Sequence, residues 1–214
     1  MTEKEVLKIF KSEKALLSGH FLLSSGLHSG QYMQCAFLLQ KPWIAEKLCK
    51  ALAKKISKNR VDVVIGPALG GVIVSYEMGR VLKVRSIFAE RLPATRLPPA
   101  CRTGRDGQGQ AGVDESLTLR RGFSLKKNEK VLVAEDVVTT GKSTNEVIEI
   151  VKKSGAKLVG VAAIVDRGDG AEPFSVPFYS LLKINIKSYA AGSCPLCKEG
   201  KIPVMKPGSR TKKS

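Results

Sequence analysis

The chain has 214 residues, of which 43% are hydrophobic, a composition typical of a globular protein with one sizeable core. No apolar run is long enough to span a membrane, and the opening segment MTEKEVLKIF lacks the hydrophobic stretch of a signal peptide. We therefore expect a soluble cytoplasmic protein. The net charge of +17 suits anionic ligands, but the scattered basic residues lack interleaved aromatic side chains, which argues against specific nucleic-acid binding.

The N-terminal part of the chain predicts a helix followed by a small hairpin. Residues 3–17 have the apolar spacing of an amphipathic helix. Two strand-like stretches, residues 19–23 and 31–35, flank a turn rich in serine and glycine. His28 lies in that turn, and we expect it to be exposed to solvent. A contact with an anionic ligand is the alternative for this histidine.

An alternation of strands and helices begins after the hairpin. Residues 43–56 repeat apolar side chains at helical spacing, and residues 61–65 have the pattern of a buried strand. The following loop, residues 66–71, reads GPALGG, and its glycines allow the backbone to approach an anion closely. A plain tight turn is the alternative for this loop.

A segment without regular pattern follows the next strand, residues 84–89, which leads into Glu90 and Arg91. Residues 92–116 mix prolines with glycines and have no apolar periodicity. A loop of this length is typical of a functional lid or of a disordered segment, and disorder is our first expectation. Residues 117–124 then resume a strand-like pattern.

The most informative stretch is residues 131–146, VLVAEDVVTTGKSTNE. An apolar run typical of a buried strand ends in Glu135 and Asp136, and a turn of small polar residues leads into a helix. Ser143 and Glu146 have the spacing of a capping box. Turn amides, a helix N-terminus, hydroxyl groups and Lys142 suit a phosphate, whereas ionised carboxylates, which only accept hydrogen bonds, suit the hydroxyls of a sugar. The stretch therefore predicts a site for a phosphorylated sugar.

Two other interpretations of this stretch are weaker. Its Gly-Lys-Ser triplet is similar to the end of a nucleoside-triphosphate loop, but that motif requires a glycine where the chain has Asp136. An ordinary joint between a strand and a helix would explain the apolar residues and the cap. It would not explain two adjacent acids beside three threonines and a lysine.

The last strand of the alternation, residues 159–165, leads into Asp166 and Arg167. An arginine at the carboxyl edge of a strand suits bidentate recognition of a carboxylate, and a surface ion pair with a nearby aspartate is the alternative. The alternation predicts an α/β fold with a mostly parallel central sheet flanked by helices. The candidate loops 66–71, 135–144 and 166–168 all follow strands, where such folds bind ligands.

The chain has five cysteines, at positions 35, 49, 101, 194 and 197. An odd number cannot all pair in disulfides, and we expect reduced thiols. Cys194 and Cys197 have the spacing of half a zinc site, but a structural zinc needs four ligands. Both histidines, His20 and His28, lie far away in the sequence. We therefore expect a turn around Pro195 and no metal held by protein side chains, with a zinc shared across a dimer as the alternative.

The motifs together resemble a known family. Residues 135–143, EDVVTTGKS, are similar to the phosphoribosyl diphosphate (PRPP) signature of type I phosphoribosyltransferases. Six further stretches resemble, in the same order, one branch of the orotate phosphoribosyltransferases, from about residue 6 to 210 with a break near 92–116. These stretches are residues 19–29, 66–71, 88–91, 119–123, 165–167 and 194–210.

This resemblance implies one domain, residues 1–210, with a hood of about residues 1–40 plus a C-terminal part, and a loose basic tail at 206–214. It implies transfer of ribose-5-phosphate from PRPP to orotate in pyrimidine biosynthesis, with Glu135 and Asp136 as the catalytic acids. The PRPP-binding residues would be Glu135, Asp136, Val137, Val138, Thr139, Thr140, Gly141, Lys142, Ser143, Gly70, Gly71 and Arg91. Thr139 and Arg167 would contact orotate.

The resemblance also implies Mg²⁺ carried by PRPP, a homodimer, and a lid whose catalytic lysine crosses the dimer interface. The chain departs from the family pattern here, because no lysine occurs between Arg91 and Leu125. Arg96, Arg102 and Arg105 are possible substitutes, although arginine does not replace lysine neutrally. The alternative is that the 92–116 segment is an insertion that impairs the activity. Lysines that other members carry are also missing where Ser24 and Gly70 stand.

Two other functions remain open from the sequence. The same PRPP site serves a purine phosphoribosyltransferase, although Arg167 and the hood favour a base that carries a carboxylate. A PRPP-sensing regulator that binds nucleic acid is the second alternative, and it would need a recognition helix or a basic domain that the chain lacks.

Overall fold

Two β-sheets and the helices packed on them make up the described part of the protein. The computed structural model describes residues 1–23, 25–56, 60–91, 116–168 and 174–207. The strands are β1 (Leu16–Leu22), β2 (His28–Met33), β3 (Val63–Pro67), β4 (Arg85–Arg91), β5 (Leu117–Leu119), β6 (Lys130–Val138), β7 (Lys157–Asp166), β8 (Phe178–Lys183) and β9 (Ser188–Tyr189). The helices are α1 (Glu3–Ser12), α2 (Ala36–Leu39), α3 (Pro42–Ile56), α4 (Gly70–Leu82), α5 (Lys142–Lys153) and α6 (Pro195–Glu199).

The larger sheet has the strand order β5-β4-β3-β6-β7-β8 among the described residues. All neighbouring strands pair in parallel except β5, which runs antiparallel to β4. The predicted α/β fold with a mostly parallel sheet is confirmed. Since β3, β6 and β7 are neighbours and parallel, the loops after them meet at one edge of the sheet, as the sequence predicts.

Both faces of this sheet are covered, which explains the uninterrupted apolar run at the start of β6. Leu132 and Ala134 belong to the core cluster that includes buried residues of α1, α3 and α4. Val131 and Val133 face the opposite cluster, which includes Val147 and other buried residues of α5. A parallel strand with helices on both faces needs apolar side chains at successive positions.

The smaller sheet is antiparallel and has the order β1-β2-β9. It joins the N-terminal hairpin to a segment near the C-terminus through the pairing of His28 with Tyr189. A further bridge connects Phe21 to Met205, where the Leu22 N–H donates to the Met205 carbonyl at 2.9 Å. The hairpin and the C-terminal segment are therefore one structural unit.

The predicted N-terminal helix is too long by one turn. α1 ends at Ser12, because Lys14 adopts a left-handed backbone with φ of 53° and the chain then enters β1. Its N-terminus has a capping box that the sequence analysis did not predict: Thr2 accepts from the Glu5 amide, and Glu5 accepts from the Thr2 amide.

Two predicted segments fall largely outside the described residues. Of the proposed lid at 92–116, only Ser116 is described, and of the basic tail at 206–214, only Lys206 and Pro207 are. Strand structure in the 117–124 stretch is limited to β5. In the described part of the chain, no helix has the length and apolar character needed to cross a membrane.

Candidate active site

The acidic pair lies at the carboxyl end of β6, as predicted. Glu135 is buried and Asp136 is half-buried. Their carboxyl groups share a hydrogen bond, and the Ser143 hydroxyl donates to Glu135 Oε2 at 3.2 Å. The first turn of α5 therefore holds one acid of the pair, while Asp136 lines the large cavity described below.

Burial raises the pKa of both acids. For Glu135, the loss of solvation and the neighbouring charge of Asp136 raise the pKa to about 9. For Asp136, burial raises the pKa, while hydrogen bonds from Glu135 and from the Val137 amide act in the opposite direction. We infer that Glu135 holds the proton at neutral pH and that Asp136 carries the negative charge.

The turn between β6 and α5 forms a small depression of about 160 Å³, lined by the eight residues 137–144. Gly141 occupies the position before the helix with φ of 71°, and a Cβ there would lie 3.0 Å from the Phe174 ring. Gly141 has no side chain to cap α5, and the Thr140 hydroxyl accepts from the Lys142 amide at 3.4 Å. The next amides of the first turn, those of Ser143 and Thr144, have no described side-chain acceptor. The hydroxyl of Thr144 is buried without a described partner. These donors suit a phosphate group.

The predicted capping box between Ser143 and Glu146 is wrong. The α5 N-cap is Gly141, and the Ser143 hydroxyl contacts Glu135 instead. Glu146 accepts a bidentate contact from Arg91, at 3.0 and 3.2 Å, and a hydrogen bond from the Leu117 amide. An ion pair to β4 thus replaces the local cap.

The loop 66–71 packs tightly against β6. A Cβ on Gly71 would lie 2.7 Å from Pro67 Cδ and 3.1 Å from the Ala134 carbonyl. A Cβ on Gly70 would lie 2.5 Å from Asp136 Cγ. The Ala68–Leu69 peptide is cis, and α4 begins at Gly70 without a side-chain cap. This loop therefore brings a helix N-terminus directly beside the acidic pair.

A cavity of about 1170 Å³ lies between the small sheet and the end of β6. Residues from the hairpin, from β6, from the loop after β7 and from the C-terminal segment line it, among them Tyr32, Asp136, Thr139, Lys142, Arg167, Lys187, Tyr189 and Lys206. Its described charged groups are four cations and one carboxylate. The cavity therefore favours an anionic ligand.

Arg167 occupies this cavity with an unsatisfied donor. Its Nε is buried and has no hydrogen-bond partner among the described residues, and burial lowers the pKa of its guanidinium group. The Arg167 amide donates to the Val138 carbonyl at 2.7 Å, which fixes the loop against β6. Asp166 does not pair with it: Asp166 accepts from the Gly168 amide and lies 3.8 Å from Lys183 Nζ.

Most predicted site residues meet here, but not all. Val137, Thr139, Thr140 and Lys142 line both cavities, while Val138, Gly141 and Ser143 line the depression alone. Arg91 lines neither and contacts Glu146, so its pyrophosphate contact stays a prediction. Tyr32, Lys187 and Lys206 were missed as lining residues. Lys206 had a signal, because it lies in the last stretch that resembles the family.

The expectation that His28 is an exposed turn residue is wrong, and Pro195 begins the short helix α6 instead of a turn. His28 is only 8% exposed and belongs to β2. The potential ligand atoms of His20, His28, Cys194 and Cys197 lie within 4.8 Å of one another. The pairing of β2 with β9 and the return of the chain at Met205 bring these distant residues together.

Comparisons with known proteins agree with this geometry. The family model described as the phosphoribosyl transferase domain matches residues 38–196. The orotate phosphoribosyltransferase of Carboxydothermus hydrogenoformans is 50% identical over 208 residues, which cover 96% of this chain and 97% of that protein. The orotate phosphoribosyltransferase of Caldanaerobacter subterraneus subsp. tengcongensis is 48% identical over 98% of this chain and 99% of its own length.

Solved structures share the fold. The orotate phosphoribosyltransferase of Aeropyrum pernix has a TM-score of 0.62 at 24% identity, covering 84% of this chain and 93% of that one. The Mycobacterium tuberculosis orotate phosphoribosyltransferase in complex with Fe(III) dicitrate has a TM-score of 0.63 at 20% identity, covering 85% and 96%. By its sequence relatives and its fold, the chain belongs to the orotate phosphoribosyltransferase family.

Proposed function

We propose that the protein transfers ribose-5-phosphate from PRPP to orotate, giving orotidine 5′-phosphate and pyrophosphate in pyrimidine biosynthesis. The observation that carries this proposal is the buried, unpartnered Nε of Arg167 in a cavity that also contains Asp136. A buried guanidinium donor without an acceptor is costly, and the carboxylate of a bound base would satisfy it.

The sugar-phosphate half of PRPP fits the end of β6. The 5′-phosphate would bind in the depression at residues 137–144, where amides of the first turn of α5 and the Lys142 side chain supply donors. The ribose hydroxyls would donate to Asp136 and contact Glu135. The loop 66–71 would receive the pyrophosphate through backbone amides at the start of α4.

In the reaction, a ring nitrogen of orotate gives up its proton to the departing pyrophosphate and forms a bond to C1 of the ribose, while the bond from C1 to the pyrophosphate oxygen breaks. The pyrophosphate leaves with the electron pair, and the ribose passes through an oxocarbenium-like state. The charge on Asp136 stabilises this cation, because a fixed carboxylate in a partly dry site interacts strongly with a developing positive charge. No protein nucleophile is needed for this step.

Mg²⁺ fits the site as a companion of PRPP. Asp136, the charged acid of the pair, lines the large cavity, and Mg²⁺ is commonly bound by one or two carboxylates together with substrate phosphates. The ion would be held mainly by PRPP oxygens and would neutralise charge on the leaving pyrophosphate. The protein's own part is to position Asp136 beside the sugar.

The base specificity depends on Arg167 and Thr139, which line the large cavity together. A purine offers no carboxylate to Arg167, so the purine-type alternative would leave the buried donor unsatisfied. Incubation with PRPP, Mg²⁺ and one of orotate, adenine, hypoxanthine or uracil, followed by measurement of pyrophosphate, tests this proposal. We expect release with orotate alone. Release with a purine but not with orotate would contradict it.

The same assay addresses the segment 92–116. A catalytic lysine is missing from its sequence, and Arg96, Arg102 and Arg105 stay the predicted substitutes. Turnover that falls when all three are changed to glutamine would support their role. If the triple change left turnover unaffected, the residues at the edge of β6 would be sufficient for catalysis without these arginines.

We also propose that two copies associate through an apolar surface beside the loop 66–71. Leu69, Ile73 and Tyr76 lie along one side of the start of α4 and are 86%, 44% and 67% exposed. Phe37 of α2 and Trp43 of α3 are exposed as well, and both helices pack on α4. Large apolar surfaces of this kind mark interaction sites, and its continuity with the active-site loop favours a second copy of the chain.

Sedimentation equilibrium tests the homodimer. We expect twice the chain mass for the natural protein and a monomer for Tyr76→Asp. Ile202→Asp, which changes an exposed apolar residue away from this surface, serves as the control and should remain dimeric. A monomeric natural protein at micromolar concentration would contradict the proposal.

A further inference from the structure

A second cluster of side chains lies outside the large cavity. It consists of His20 on β1, His28 at the start of β2, Cys194 just before α6 and Cys197 within α6. One potential ligand atom from each residue lies within 4.8 Å of the other three. We propose that these four side chains bind a structural zinc ion.

The distances between the ligand atoms fit a tetrahedral ion. Zinc bonds of about 2.0 Å to nitrogen and about 2.3 Å to sulfur place neighbouring ligand atoms about 3.3–3.8 Å apart. His20 Nε2 lies 3.5 Å from Cys194 Sγ and 3.6 Å from Cys197 Sγ, and Cys197 Sγ lies 3.2 Å from His28 Nδ1. The two ring nitrogens are 2.8 Å apart and would separate by about 0.5 Å to reach that range.

The orientation of His20 prepares it as a ligand. Its Nδ1 lies 3.1 Å from the Ile202 carbonyl oxygen, which only accepts hydrogen bonds. Nδ1 therefore carries the proton, and Nε2 directs its lone pair into the cluster. Zinc-binding histidines commonly donate their other ring N–H to a carbonyl in this way, which fixes both the tautomer and the ring plane.

The chemistry of the four residues suits zinc better than other ions. Two thiolates balance the charge of Zn²⁺ and two neutral imidazoles complete the shell, so the centre is neutral and tolerates burial. Cys194 and His20 are 0% and 2% exposed, whereas Cys197 is exposed and provides a route for the ion. Both cysteines are free thiols in the structure.

The ion would fasten the C-terminal segment to the hairpin. The Met205 amide donates to the His20 carbonyl at 2.8 Å, and a Cβ on Gly30 would lie 3.7 Å from Leu196 Cδ1. The next residues, Lys206 and Pro207, line the large cavity. A zinc ion at this point therefore holds Lys206 in place at the cavity without touching the substrates itself.

Metal analysis of the full chain, purified without a polyhistidine tag or chelators, tests the site. We expect about one zinc ion per chain for the natural sequence. Cys194→Ser and Cys197→Ser should lower the zinc content at least tenfold. Cys49→Ser is the control, because Cys49 is buried in α3 outside the cluster, and this variant should keep its zinc.

A second measurement on the natural sequence covers the case in which the serine variants do not fold. After removal of zinc, added Co²⁺ should give the intense visible absorption of a tetrahedral thiolate site, and Zn²⁺ should abolish it. Absence of zinc and of this spectrum, or a Cys194–Cys197 disulfide in the freshly isolated protein, would overturn the proposal. These readouts do not depend on turnover: an active protein without zinc overturns only this inference, and a zinc protein that uses no orotate overturns only the proposed function.

Discussion

Gly70 lies so close to Asp136 that a Cβ at position 70 would come within 2.5 Å of the Asp136 carboxyl carbon. This contact joins the start of α4 to the end of β6. A lysine at position 70 would not fit in this chain while Asp136 keeps its present position. The chain therefore presents backbone amides, rather than a lysine side chain, next to its charged acid.

Gly70→Ala should reduce turnover more than it reduces stability. The new methyl group must displace Asp136 or shift α4, and a displacement of about 1 Å in a catalytic group can cost on the order of 100-fold in rate. Steady-state kcat and the midpoint of thermal unfolding measure the two effects. Gly192→Ala is the matched control, because a Cβ there meets no atom within 4 Å. Equal kcat values for both variants would contradict the contact.

Asp136→Asn and Glu135→Gln should differ strongly in activity. Asp136 carries the charge of the pair, so its amide variant loses the electrostatic stabilisation of the oxocarbenium-like state, and we expect kcat to fall by about 100-fold or more. Glu135 holds the proton, so glutamine resembles its resting form, and we expect a loss of less than about tenfold. If both variants lost a comparable part of the orotate-dependent pyrophosphate release, Glu135 would not be the protonated acid of the pair.

The stability of the unliganded protein should decline as the pH rises from mildly acidic to alkaline values. Burial raises the pKa of Glu135 from its ordinary 4.5 to about 9, so over that interval the folded state holds a proton that the unfolded chain releases. The stabilising contribution is complete below the unfolded pKa and is lost as the pH rises through the folded pKa. The slope is at most about 1.4 kcal/mol per pH unit.

Urea unfolding at about pH 6 and about pH 8.5 measures this decline. Glu135→Gln cannot release the proton and should flatten the dependence. Glu149→Gln is the control, since Glu149 is exposed and its contact with Lys152 lowers its pKa, so the slope should match the natural protein. A slope in Glu135→Gln equal to that of the natural protein would contradict the raised pKa.

The main site was predictable because its pieces are local. The apolar run of β6, the acidic pair and the turn at Gly141 are continuous in sequence, and parallel pairing then places the loops after β3 and β7 beside them. Arg167 could be assigned to this edge before any distance was known. Only the strand periodicity and the parallel arrangement were needed.

Long-range contacts were not predictable in the same way. His20 and Cys194 are 174 positions apart, and the two-residue strand β9 that helps to bring their segments together has no recognisable pattern. Glu146 had the spacing of a local cap, but Arg91, 55 positions away, competes for it with a bidentate ion pair. In both cases, tertiary pairing produced contacts that the local pattern did not favour.

Arg167→Lys should raise the KM for orotate and leave the KM for PRPP nearly unchanged. Lysine keeps the positive charge but cannot form the planar two-point contact with a carboxylate, so we expect an increase of about 10- to 100-fold, equivalent to about 1.4–2.8 kcal/mol. Arg60→Lys provides the matched control, because Arg60 is exposed and pairs only with Asp62 in the described contacts. Initial rates with each substrate varied in turn separate the two constants. If both KM values rose together, Arg167 would be supporting the shape of the whole site, and the carboxylate of the base would have to bind elsewhere in the cavity, with Lys187 or Lys206 as the next candidates.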